Sequence, residues 1–306
     1  MKILVATEKP FAPLAVNMIR EVTEAAGHEL ALLENYTDVA DLLSEVADAD
    51  ALIVRSDKVT AQVLDAAKNL KIVVRAGAGY DNLDLTACSA NNVVAMNTPG
   101  QNSNAVAELA FEMMLYQARG GFAGKAGTEL RGKTLGLMAF GNVGKYMANI
   151  AKGFGMDVYA FDPFLSGEAI EKAGVKVCKT VDDLFSKCQY VSLHIPANDE
   201  TKKSIGFELL KKMPKNAVLI NTARKEVIDE DGLLKIFAER GDISYLSDVA
   251  PDCKNEFEEK YKDRFIFTAK KMGAQTKEAN INAGVAAARQ IADYFKTGNE
   301  TFRLNK

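Results

Sequence analysis

The sequence predicts an α/β protein built on parallel sheets that helices cover on both faces. Three observations predict it. Short β-branched apolar runs alternate with helix-period segments along most of the chain. Runs such as LIVR, KIVV and AVLIN are apolar without alternation, as strands buried on both faces must be. The 306 residues are enough for two domains, each with its own core.

In order along the chain, strands are expected at 2–7, 51–56, 72–75 and 93–97, followed by a helix at 105–119. A glycine-rich connection, GGFAGKAG, leads to further strands at 134–140, 157–161, 190–195, 217–221, 245–249 and 265–268. One amphipathic helix, 276–295, closes the pattern before Lys296-Thr297-Gly298. No internal repeat or low-complexity segment interrupts it.

Composition removes several functional classes. With 48% apolar and 26% charged residues and a net charge of −3, the chain has neither the footprint of a nucleic-acid binder nor a basic membrane face. The start, MKILVATEKPFAP, reads as a strand and loop without a signal-peptide core, and no apolar run reaches the length of a membrane span. Cys88, Cys178, Cys188 and Cys253 have no metal-type spacing, so reduced thiols of a cytoplasmic protein and no metal site are expected.

The strand at 134–140 runs into Ala139-Phe140-Gly141-Asn142-Val143-Gly144, with a helix expected from Lys145. This is the dinucleotide fingerprint of a Rossmann domain, with alanine at its first glycine position. Gly141 lets the backbone approach a pyrophosphate, and Gly144 lets the helix pack closely on the strand. The helix N-terminus supplies N–H groups and a positive dipole end. Alanine fits the first position if its φ is negative. Asp162 closes the next strand, about twenty residues on, where a carboxylate accepts ribose hydroxyls and repels a 2′-phosphate. No arginine follows it directly, which favours NAD over NADP.

With these residues in view, the sequence resembles the D-isomer-specific 2-hydroxyacid dehydrogenase family. The resemblance is carried by ALIVRSDKVT, VVRAGAGYDNLDL, MNTPGQNSNAVAEL, LRGKTLGLMAFGNVG, VSLHIP, LINTARKEVIDEDGL and GAQTKEA, in that order. It implies a Rossmann-type doubly wound parallel sheet at 98–277, inserted into a smaller flavodoxin-like α/β domain made of 1–97 and 278–306. It also implies a short form without a regulatory extension, acting as a homodimer. Arg224 matches the arginine that holds the substrate carboxylate and polarises its carbonyl, a task suited to a planar bidentate donor. Asp248 matches the residue near the nicotinamide amide. Thr222, Pro196 and Gly273 match others lining the cofactor, whereas His194 is read as structural.

Arg55-Ser56, Arg75-Ala76-Gly77 and Asn102 resemble the substrate-binding segments of the branch that oxidises 3-phosphoglycerate at the opening of serine synthesis. Two arginines give a phosphorylated hydroxy acid several charge-assisted hydrogen bonds. The pattern breaks at one pair. Lys271 stands where the family has its acid–base histidine, and ungapped counting puts Cys253 at the partner glutamate, with Asp252 the nearest carboxylate. Lys271 is therefore the expected acid–base, its neutral form favoured by burial, Arg224 and oxidised NAD. Lys125, in the glycine-rich connection, is a further candidate for a phosphate contact. Two other readings stay open: a dehydrogenase or reductase for an unphosphorylated acid, and an NAD-binding sensor without strong catalysis.

Overall fold

KILVAT has apolar residues at every position but its ends and becomes strand β1 (Lys2–Thr7), whose side chains enter two different cores. In the computed structural model, which describes residues 1–306, β1 is joined by β2 (Glu29–Glu34), β3 (Ala51–Val54), β4 (Ile72–Arg75) and β5 (Val94–Asn97). All pairings are parallel and the strand order is β2-β1-β3-β4-β5, the flavodoxin-like order. Ile3, Val5, Ile53 and Val74 face the helices Pro13–Ala25 and Lys277–Thr297. Leu4, Ala6, Leu52, Val54 and Val73 face the helices Val39–Val46, Ala61–Ala66 and Leu85–Ala90. Burial on both sides is why these strands show no polar alternation.

The second sheet contains β6 (Thr134–Met138), β7 (Asp157–Phe161), β8 (Lys176–Val177), β9 (Tyr190–Leu193), β10 (Val218–Asn221), β11 (Ser244–Ser247) and β12 (Phe265–Phe267). Its order, β12-β11-β10-β9-β6-β7-β8, reverses between β6 and β9, the doubly wound arrangement of a Rossmann sheet. One face packs Leu135 and Leu137 against the helices Ser103–Ala118 and Asn142–Gly153. The other buries Leu184, Phe185, Leu219, Ile236, Phe237 and Phe257. Phe237, Tyr245, Phe257, Tyr261, Phe265 and Phe267 pack mostly edge to face at 4.7–6.2 Å and clamp the β11–β12 end of the sheet.

By internal contacts the chain divides into Met1–Asn102 with Gln275–Lys306, and Ser103–Ala274. Local bonds fit these joints. The Thr98 N–H donates to the Gly77 carbonyl, and the Thr276 hydroxyl caps the helix Lys277–Thr297 by accepting from Ala279 N–H at 3.1 Å.

Three expectations need correction. β2 and β8 were absent from the sequence pattern, because ELALLE lies at a sheet edge and is only partly covered, and KV is two residues long. Several strands stop one or two residues earlier than expected at their carboxyl ends, where the chain turns into loops. The helix after β6 starts at Asn142, not Lys145: Gly141 is its N-cap, and Lys145 N–H already donates to the Gly141 carbonyl.

Candidate active-site residues of the two units

In the second unit the chemistry-bearing residues leave the carboxyl ends of parallel strands, where α/β sheets bind ligands. Ala139–Gly144 follows β6, Asp162 follows β7, His194 and Pro196 follow β9, Thr222 and Arg224 follow β10, Asp248 follows β11 and Lys271 follows β12. The Met138↔Leu193 pairing sets the fingerprint beside His194 at the point where strand order reverses.

Within the fingerprint each small residue has a distinct duty. A Cβ on Gly144 would lie 2.6 Å from the Ala139 carbonyl oxygen, so only glycine lets the helix approach the turn. A Cβ on Gly141 would meet nothing within 4 Å, leaving open the space through which a pyrophosphate would reach the N–H groups of Asn142 and Val143. Asp162 braces the turn: Oδ2 accepts from Phe140 N–H at 2.8 Å, and Oδ1 accepts from Phe164 and Leu165 N–H at 2.9 and 3.2 Å. Oδ2, with a single bond, retains lone-pair capacity for a ribose hydroxyl.

Ala139 departs from expectation. Its φ is +77°, not negative, a left-handed conformation that costs an L-residue about 1–2 kcal/mol. Ala139→Gly is therefore expected to stabilise this unit by about 1 kcal/mol, raising its Tm by roughly 2–4 °C in a thermal melt. An unchanged or lower Tm would mean the left-handed backbone is not strained.

Buried polar atoms without protein partners gather at the same strand ends: Ser192 Oγ, His194 Nε2 and Thr222 Oγ1. They fit a polar ligand such as a dinucleotide, because orphaned buried groups are costly. Burial pushes the His194 imidazole down to about 4, so it stays neutral near pH 7 and does not serve as an imidazolium acid. Pro196 is exposed, and its carbonyl accepts from the Thr201 hydroxyl.

Asp248, 1% exposed, anchors the segment carrying Lys271. Oδ1 accepts from Met272 N–H at 2.8 Å and from the Thr268 hydroxyl at 3.1 Å, while Oδ2 accepts from Gly273 N–H at 2.8 Å. Gly273 suits this contact, since a Cβ there would sit 2.8 Å from Asp248 Oδ2. Lys271 itself is exposed, so the burial expected to favour its neutral form is not provided.

Asp252 is not an orienting carboxylate. Its side chain is 78% exposed and lies 2.6 Å from Lys225 Nζ as a surface ion pair, because the N-terminal turn of the helix Lys254–Lys260 carries it outward. The adjacent Cys253 is buried, and burial with the Glu230 carboxylate pushes its thiol up to about 12, so it is no thiolate base. Glu230, missed in the sequence, accepts the N–H groups of Asp252 and Cys253 at 2.8 Å each. Asn221 was missed as well. Its Oδ1 accepts Ala223 N–H at 3.0 Å and its amide donates to the Arg224 carbonyl at 2.9 Å, fixing the turn that presents Arg224.

In the first unit, Arg55 and Ser56 follow β3, Arg75 ends β4 with Ala76 and Gly77 after it, and Asn102 lies beyond β5. Ser56 is exposed and Asn102 half-buried, whereas Ala76 is buried and gives its N–H to the Val54 carbonyl. Arg55 is a brace more than a ligand arm. Its guanidinium lies over the Phe11 ring and donates to the Lys9 and Pro10 carbonyls at 3.0 Å and to Asn280 Oδ1 at 2.7 Å. Arg75 lies across Gly77, where a Cβ would be 1.6 Å from its Nη1, and Gly77 has a φ of +149°. Gly77→Ala is expected to displace the Arg75 guanidinium and raise KM for an anionic substrate about 10- to 100-fold, with kcat little changed. Steady-state kinetics with an unaltered KM would show that Arg75 does not bind it.

Comparison with known proteins gives a consistent result. A sequence model described as D-isomer specific 2-hydroxyacid dehydrogenase, NAD binding domain, matches residues 105–268. The D-3-phosphoglycerate dehydrogenase of Methanocaldococcus jannaschii is 35% identical over 271 residues, 82% of this chain and 51% of that protein. The hydroxypyruvate reductase of Thermotoga maritima is 34% identical over 283 residues, 86% of this chain and 90% of that protein. A crystal structure of NAD+-bound 3-phosphoglycerate dehydrogenase from Entamoeba histolytica shares 49% identity at a TM-score of 0.88, covering 100% of this chain and 99% of that one. The chain spans about half the length of the curated D-3-phosphoglycerate dehydrogenases it matches. No helix is long and apolar enough to cross a membrane. With a match across more than half of its residues, the chain belongs to the D-isomer specific 2-hydroxyacid dehydrogenase family and carries that family's NAD binding domain in its second unit.

Proposed function

We propose that the chain oxidises 3-phosphoglycerate to 3-phosphohydroxypyruvate with NAD, a reaction that would open serine synthesis. The observation that carries this reading is the emergence of a dinucleotide turn, Arg224 and Lys271 from one carboxyl edge of one sheet. NAD, when bound, supplies the acceptor for the hydride leaving the substrate C2. Gly141, Asn142, Val143 and Gly144 would hold its pyrophosphate, Asp162 its ribose, and Thr222, Pro196, Asp248 and Gly273 would line the rest.

Arg224 binds the substrate carboxylate and polarises the oxygen on C2. Lys271 acts through its neutral amine, which takes the hydroxyl proton as the C–H bond breaks and becomes the ammonium that returns a proton to the carbonyl oxygen in the reverse direction. Arg75, with Ser56, Gly77 and Asn102 around it, meets the phosphate, and Arg55 supports the loop. The name of the 49% identical relative supports the phosphorylated substrate. The active form is a homodimer in this reading.

A second reading has its own support. The hydroxypyruvate reductase relative matches over most of its length, and much of the Arg55 guanidinium is engaged within its own unit. NADH consumption with 3-phosphohydroxypyruvate, hydroxypyruvate, glyoxylate and pyruvate separates the two. Turnover far faster with the phosphorylated acid than with the other three is the expected result. Equal turnover on hydroxypyruvate would favour the reductase, and NAD binding without turnover a sensor.

A further inference from the structure

Asp57 is 4% exposed and lies three residues past the end of β3, and its carboxylate accepts from neutral donors. Oδ1 accepts from the Glu8 N–H at 2.7 Å and from the Tyr36 hydroxyl at 2.9 Å, and Oδ2 accepts from the Arg55 N–H at 3.2 Å. Glu8 follows β1, Tyr36 follows β2 and Arg55 follows β3, so one buried carboxylate ties together the carboxyl ends of three adjacent strands. Burial and the Asp57 carboxylate push the Tyr36 phenol well above its ordinary range, which keeps it a donor.

The tie continues toward Arg75. The Arg55 carbonyl accepts from Arg75 Nε at 2.9 Å and from the Asn82 amide at 3.4 Å, and Asn82 also donates to the Asp57 carbonyl at 2.7 Å. The main chain of residues 55–57 is thus held on both sides. From it the Arg75 guanidinium is oriented over Gly77. A carboxylate accepting several hydrogen bonds is a rigid support, since each bond to the ion is about twice as strong as a neutral one.

We infer that Asp57 is a positioning residue for phosphate recognition: it fixes the Arg55 main chain, and through that carbonyl aims Arg75 at the substrate phosphate. This rests on the phosphoglycerate reading above. Asp57 makes no contact with substrate in this role and acts only through Arg55 and Arg75.

The test is equilibrium binding of 3-phosphoglycerate in the presence of NADH, together with KM and kcat for 3-phosphohydroxypyruvate and hydroxypyruvate, in wild type, Asp57→Ala, Asp57→Asn and Tyr36→Phe. Asp57→Ala is expected to raise Kd and KM for the phosphorylated acids about tenfold, leaving kcat, KM for hydroxypyruvate and NAD affinity within about twofold. Asp57→Asn, which keeps one acceptor oxygen, should recover part of the loss. Tyr36→Phe removes a single donor without emptying the site, so it keeps the test open if Asp57→Ala does not fold, and a rise of about threefold is expected. Unchanged phosphate affinity in these variants, or an equal loss on both acids, would overturn the assignment while leaving the substrate reading intact. A wild-type chain that binds no 3-phosphoglycerate would overturn the reading and the assignment together.

Discussion

Arg224→Lys is expected to lower kcat/KM about 100- to 1,000-fold while NAD affinity stays the same. The turn 221–224 is built to present a planar fork. Asn221 holds the Ala223 N–H and the Arg224 carbonyl, and Arg224 Nη1 donates to the Ala223 carbonyl at 2.9 Å. A guanidinium carries five N–H donors in one fixed plane, the geometry that a carboxylate and the adjacent oxygen require together. Lysine keeps the charge but offers a point donor on a flexible stem, so it cannot make both contacts in one plane. Arg224→Ala should lose no less. Titration of NAD checks that the cofactor unit is intact, and steady-state kinetics read the loss. Retained kcat/KM in Arg224→Lys would mean that the arginine supplies only charge, and the proposed polarisation of the C2 oxygen would fall.

Sequence periodicity revealed the elements with strong burial on both faces. β1, β4 and β7 have the expected limits because apolar runs such as KILVAT and IVVR end where burial ends. Edge strands escaped, since ELALLE at β2 mixes charge with apolar residues and buries little of either face. The fingerprint was legible as a motif, but the left-handed backbone of Ala139 was not, because alanine hides a conformation that glycine would have announced. Residues singled out by type and spacing, such as Gly141, Asp162, Arg224 and Lys271, lie at strand carboxyl ends. Those that act through main-chain contacts, Asp57, Asn82, Asn221 and Glu230, were not singled out, because a carboxylate or amide that braces a loop has no periodic or spacing signal. Asp57 carried the one available hint, a charged residue between a strand end and a turn, two residues after an arginine.

Lys271→Ala is expected to reduce turnover about 100- to 10,000-fold in both directions, the range for losing a positioned general acid–base. NAD affinity should remain, because Asp248 takes the Met272 and Gly273 N–H groups through main-chain bonds that the substitution leaves alone. Lys270→Ala, one residue earlier in the same exposed stretch, is the control and should keep near wild-type turnover. Asp252→Asn should also stay within about twofold, since it breaks only a surface pair with Lys225. Lys271→His would put in the histidine that the resemblance implies without its glutamate, since ungapped counting puts Cys253 there and burial pushes that thiol up to about 12. Recovery should therefore be partial, because an imidazole needs a carboxylate to fix its orientation and support its charged form. Full activity in Lys271→Ala would transfer the proton step to another group or to water. Full activity in Lys271→His would show instead that the family's glutamate is dispensable in this chain, and that the exchange of histidine for lysine did not depend on losing it.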